Sequence, residues 1–112
     1  MTLIRAARFV VGVSLVSGGV WLWVRPATPQ DKGAALYKQK CAACHGPDGK
    51  GDTAAGKSTK VRSFSDPDVM KQTDDELAAA IEKGKNKMPA YGKSLKPEEI
   101  KALVAYVRSL AK

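Results

Sequence analysis

Cys41, Cys44 and His45 stand in the run Cys41-Ala42-Ala43-Cys44-His45, a C-x-x-C-H pattern. This spacing is the signature of covalent c-type haem attachment, and the chemistry uses each part of it. On a helix, side chains three positions apart project from one face. The thiols of Cys41 and Cys44 therefore reach the same edge of a planar ligand and can add to its vinyl groups as thioethers. His45 follows at once, and its imidazole is the expected proximal donor to iron. Two other chemistries use such thiols. A thioredoxin-like redox pair follows a strand within alternating strand–helix units, and no strand pattern precedes Cys41. A structural zinc site takes four ligands, whereas the chain holds two cysteines and one histidine. One covalent haem c, with its iron, is the expected cofactor.

The elements that must position these residues read as all-α. Asp31 is a plausible N-cap. Gly33, Leu36, Tyr37, Cys41 and Cys44 then recur at helical spacing, so a first helix is predicted from Asp31 into Cys44. Between residues 46 and 60, Gly46, Pro47, Gly49, Gly51 and Gly56 give loop chemistry without periodicity. Asp66 and Pro67 open a short helix through about Lys71. Thr73 and Glu76 form a Thr-x-x-Glu capping box. Leu77, Ala80 and Ile81 make its apolar stripe, and Gly84 is a natural terminator. A last helix starts with Pro97, carries Glu98 and Glu99 in its first turn, and buries Ile100, Leu103, Val104, Val107 and Leu110. Its cap position falls on Lys96, which has no side-chain acceptor. The prediction is three main helices and one short one around a cofactor, without strands or internal repeats. A chain of 112 residues with so few aromatics builds a modest core, which a covalently held haem plate would complete.

Before this domain the composition changes. Arg5 and Arg8 precede an apolar run over residues 9–24, and Arg25 closes it. A basic start followed by a hydrophobic stretch is an export signal. The 16-residue run would span only about 24 Å as a helix, short of a bilayer core of roughly 30 Å. Flanking arginines can snorkel to make up the difference, and Trp21 and Trp23 suit an interfacial belt. No small-residue cleavage site is attractive, so residues 1–25 read as a hydrophobic helix kept as a membrane anchor, the alternative being a removed signal peptide. Residues 26–30 read as a proline-containing linker, and residues 31–112 as the exported domain.

That domain resembles class I cytochrome c over essentially all of residues 31–112. Gly33 and Tyr37 match the Gly-x-x-x-aromatic pair by which the family's first helix crosses its last. Leu103, Tyr106, Val107 and Leu110 match the other side of that crossing. CAACH matches the haem motif, GPDGKG the glycine-rich loop of short bacterial members, and Gly84 with Lys87-Met88-Pro89-Ala90-Tyr91 the loop that carries the sixth ligand. The resemblance implies the cytochrome c fold, with His45 and Met88 as axial iron ligands and Phe64, Leu77, Ile81, Tyr91, Leu95 and Val104 around the haem or in the core. It departs at one point. Many members carry a proline whose carbonyl accepts the proximal imidazole N–H, but Pro47 lies too near His45 and no other proline comes before Pro67. The resemblance thus names no acceptor for His45. Met1 belongs to the leader, and Met70, in a short polar helix, reads as packing or surface.

His/Met ligation raises the reduction potential and fills both axial positions. The implied function is single-electron transfer in a bacterial respiratory chain, not an enzyme and with no small-molecule substrate. Two alternatives stay open: a dedicated haem subunit of a dehydrogenase or oxidase complex, and a haem sensor or peroxidase with an open sixth site. The expected location is the bacterial inner membrane, facing the periplasm, or the periplasm itself if the leader is removed. Sixteen of the nineteen basic side chains and all eleven acidic ones lie from residue 31 onward. Lys83, Lys85, Lys87 and Lys93 flank Met88 and could steer the domain toward redox partners with acidic surfaces. Nucleic-acid binding is disfavoured, because the lysines alternate with acids and no aromatic platform accompanies them.

Overall fold

Thr28 sets the start of the first helix. Its hydroxyl accepts the Asp31 N–H at 3.2 Å, and the Asp31 carboxylate accepts the Thr28 N–H at 2.9 Å. This capping box opens α1, Pro29–Lys40. Asp31 is therefore the third helical residue and not the cap. Pro29, with no N–H to lose, takes the first position. The computed structural model describes Gly12, residues 18–20 and residues 22–111.

The predicted continuous helix into Cys44 is broken once. Cys41 sits at φ −117°, well outside helical values. The Cys44 N–H then reaches back only to the Cys41 carbonyl, at 3.2 Å, and a separate short α2 spans Ala42–His45. A second correction concerns the glycine-rich stretch, which contains a one-turn helix, α3, Ala54–Ser58, capped by Thr53. It is too short to show a period. The other elements agree with the sequence reading. Asp66 caps α4, Pro67–Met70, and the Thr73–Glu76 box opens α5, Asp74–Lys83. Gly84 ends α5 at φ 73°, and α6 runs over Pro97–Leu110 with no side-chain cap from Lys96. Among the described residues there is no strand, only one isolated bridge between Lys85 and Met88.

The core lies where α1 crosses α6. Gly33 is buried there, and a Cβ on it would collide with the Ala102 carbonyl carbon at 2.9 Å, so only glycine lets the backbones approach this closely. One turn on, the Tyr37 and Tyr106 rings meet at 5.2 Å. Tyr37, Phe64, Ile81, Leu95, Ile100, Leu103 and Val104 form one buried cluster, with Leu77, Met88, Tyr91, Val107 and Leu110 packed partly buried around it. Helix α5 also packs on α6. Arg108 fastens the turn before α5, donating from Nε to Asp74 at 2.9 Å and from a guanidinium nitrogen to the Met70 carbonyl at 3.3 Å. Met70 itself is exposed.

No helix among the described residues is long and apolar enough to cross a membrane. Arg5, Arg8, Trp21 and most of the apolar run over 9–24 lie outside the described residues.

Candidate functional site

The residues after His45 fold back to hold the C-x-x-C-H run by its carbonyls. Thr53 donates its hydroxyl to the Cys44 carbonyl at 3.0 Å and accepts the Gly56 N–H at 2.8 Å. The Gly51 N–H meets the His45 carbonyl at 2.8 Å. The Tyr37 hydroxyl, almost wholly buried, donates to the Gly46 carbonyl at 2.6 Å. Burial also raises the Tyr37 pKa, which keeps the phenol protonated and donating. Several of these turns need glycine. Gly46, Gly49 and Gly51 have φ of 79°, 75° and 72°, the left-handed region open mainly to residues without a Cβ. Gly56 also presses against the Cys44 carbonyl. The glycine spacing was legible in the sequence as a loop. Thr53 as a clamp on the Cys44 carbonyl was not, because that contact joins two elements that the loop brings together.

Cys41 and Cys44 form no disulfide, and each is half-buried. Burial pushes the Cys41 thiol up to about 11. Among the described residues, no group of three or more His, Cys, Asp and Glu side chains is arranged to hold a metal ion. The His45 ring stacks on Phe64, with centroids 4.9 Å apart and planes at 26°. Its Nδ1 is buried without a hydrogen-bond partner, and burial holds its pKa below the usual histidine value. A neutral imidazole with a buried Nδ1, beside two cysteines that form no disulfide, is a donor set that fits a covalent haem.

Met88 sits in a tight turn that leaves its backbone little freedom. The Met88 N–H donates to the Lys85 carbonyl at 2.9 Å, and the Lys85 N–H donates to the Met88 carbonyl at 3.3 Å. Asn86, at φ 53°, takes the left-handed position within the turn. Gly84 lies so close that a Cβ on it would fall 2.6 Å from the Met88 carbonyl oxygen. After the turn, Tyr91 and Gly92 donate their N–H groups to the Ile81 and Glu82 carbonyls, at 2.9 and 3.0 Å. Those carbonyls are at the end of α5, where helical partners run out. Finally, the Tyr91 hydroxyl donates to the Lys40 carbonyl at 3.1 Å. One hydrogen bond thus ties the Met88 segment to the residue just before Cys41. Met88 is partly buried against the core, whereas Met70 faces solvent.

Comparison with known proteins finds related chains. The family described as cytochrome C oxidase, cbb3-type, subunit III, matches residues 28–107. The cbb3-type cytochrome c oxidase subunit CcoP of Rubrivivax gelatinosus is 43% identical over 82 residues, covering 70% of this chain and 26% of that protein. This chain therefore spans about a quarter of the length of such subunits. Cytochrome c6 of a Nostoc species is 34% identical over 100 residues, covering 84% of this chain and 87% of its own. Among solved structures, the KustC0563 c-type cytochrome superposes with a TM-score of 0.66 at 38% identity, covering 71% of this chain and 98% of that one.

Proposed function

The chain belongs to the cytochrome c family, whose members hold a covalent haem c with its iron, and from that premise we propose that it is a single-electron carrier with His45 and Met88 as axial ligands. Cys41 and Cys44 would hold the haem by thioether bonds. When bound, the haem supplies a one-electron couple at its iron. The chain's own part is to fix both ligands and leave neither axial position to a small molecule. The Tyr91–Lys40 hydrogen bond carries this reading, because it couples the two ligand-bearing segments directly. His45 presents a neutral imidazole, and the turn from Lys85 to Met88 presents a soft thioether that favours the reduced metal. Two filled positions favour electron transfer over chemistry at the metal, so the reading is a carrier and not an enzyme.

The surroundings of Met88 support docking to an acidic redox partner. Lys83, Lys85, Lys87 and Lys93 are all exposed there, on a chain of net charge +8. The leader supports attachment to the bacterial inner membrane, with the haem domain in the periplasm. Val20, Leu22, Trp23 and Val24 are apolar and exposed, which suits burial in an apolar phase. A second reading, a haem subunit of a larger oxidase or dehydrogenase, is favoured by the likeness to CcoP. A partner recovered in fixed ratio after mild detergent extraction would support it.

Mass spectrometry and carbon monoxide binding test the main reading. The exported chain should carry the mass of one haem, and Cys41→Ala or Cys44→Ala should weaken its covalent retention. The reduced protein should not bind carbon monoxide rapidly at neutral pH. Rapid, tight binding would move the reading to a haem protein with an open sixth site.

A further inference from the structure

A histidine that binds a metal through one ring nitrogen is ordinarily oriented by a hydrogen bond from the other nitrogen to a carbonyl, carboxylate or water. Among the described residues, none offers His45 such an acceptor. Its Nδ1 is enclosed and unpartnered, and the sequence lacks a proline placed to offer a carbonyl. What the ring does have is an aromatic face. Phe64 lies against it at 4.9 Å and 26°, the offset stack that aromatic rings prefer.

Phe64 is itself held on several sides. Its N–H donates to the Gly49 carbonyl at 2.9 Å. Its ring stands edge-on to Tyr37 at 6.1 Å and 66°. Gly49 packs against it, and a Cβ there would collide with its Cδ2 and come within 3.0 Å of its Cε2 and 3.3 Å of its Cγ. Tyr37 in turn holds the Gly46 carbonyl, next to His45.

We propose that Phe64 is a positioning residue that sets the plane of the His45 imidazole by stacking, in place of the missing hydrogen-bond acceptor. This rests on the reading of His45 as the proximal ligand. The glycine at position 49 is then part of the device, since a Cβ there would collide with the Phe64 ring.

The test uses the haem-loaded protein in its ferric state. Electron paramagnetic resonance anisotropy and the order of the haem methyl resonances in nuclear magnetic resonance both depend on the plane of an axial imidazole. A residue that only fills the core would not move them. Phe64→Leu keeps apolar bulk and removes the flat face. It should retain low-spin iron but shift both signatures. Phe64→Tyr, which keeps the ring, should preserve the wild-type pattern. Gly49→Ala, which displaces the ring without removing it, should shift the pattern as Phe64→Leu does. Unchanged signatures in Phe64→Leu would overturn the proposal, as would a Phe64→Tyr shift equal to that of Phe64→Leu. If Phe64→Leu fails to hold haem, Phe64→Met, which also keeps apolar bulk without a flat face, decides: a shifted pattern supports the proposal and an unchanged one overturns it. His45→Ala tests the parent reading separately, since wild-type low-spin signals in that variant would show that His45 is not the ligand.

Discussion

Tyr37 does two jobs with one side chain. Its ring fills the α1–α6 crossing, and its hydroxyl secures the Gly46 carbonyl beside His45. Replacing it with phenylalanine keeps the first job and deletes the second. The Gly46 carbonyl would keep the Gly49 N–H at 3.2 Å, so no buried acceptor is left bare. Tyr37→Phe should therefore cost about 1 kcal/mol and lower the melting temperature by roughly 4–8 °C, with haem content intact. Thermal denaturation followed by circular dichroism measures this. At this scale the sequence was most legible where chemistry depends on local spacing. Cys41, Cys44 and His45 are neighbours in the chain, and the structure keeps them together, Cys44 and His45 within α2 and Cys41 at its N-terminal cap position. Phe64 was legible as a buried aromatic. Its stack on His45 was not, because the two residues lie 19 positions apart in the chain with α3 between them, and only tertiary folding brings the rings together.

Among the elements, helix starts were readable where a side chain and its partner lie three apart. The Thr73–Glu76 box is present as expected, at 3.1 and 2.7 Å. The Thr28–Asp31 box is masked in the sequence, because Asp31 alone is also a good cap and the two prolines nearby suit a linker. The same box gives a pH dependence. Hydrogen bonds from the Thr28 backbone and hydroxyl hold the Asp31 carboxyl below its usual value of 3.8. A depressed folded pKa contributes stability that is fully present above the unfolded value and is lost as pH falls through the folded one. The contribution of Asp31 to α1 should thus be present at neutral pH and disappear only below about pH 3.8. Melting curves of the wild type and Asp31→Asn should differ at neutral pH and converge in stronger acid. A gap that persists unchanged at low pH would show that the asparagine acts by some means other than loss of the carboxylate. Helix α3 marks the limit of reading at this scale. A single turn has no periodicity, and the place of its cap, Thr53, is set by the distant Cys44 carbonyl that its hydroxyl holds.

For the whole molecule, charge bears on recognition and not on fold. A small redox contact must form quickly and release quickly, and such transient interfaces bury less than about 1,200 Å². Long-range attraction by the lysines around Met88 would speed encounter and would be screened over a Debye length of about 10 Å at 0.1 M salt. Electron transfer to the physiological partner should slow as salt rises. Charge reversal at Lys85 or Lys87 should slow association more than the same change at Lys101, exposed along α6. Stopped-flow rates against ionic strength measure both effects, and equal effects at Lys87 and Lys101 would reduce the lysines to a solvated surface. The helical architecture was legible because four of its helices carry caps, prolines or apolar stripes within their own sequence. The tie between the Met88 segment and α1 was not, since Tyr91 reaches Lys40 across 51 residues. That tie makes ligation by both His45 and Met88 the central claim, and a spectroelectrochemical titration of the wild type, Met88→Ala and Met70→Ala tests it most directly. The wild type should give a single one-electron curve, about 59 mV per decade. Met88→Ala should have a lower potential and bind carbon monoxide when reduced, and Met70→Ala should match the wild type. An unchanged potential and spectrum in Met88→Ala, with a shift in Met70→Ala, would contradict the assignment.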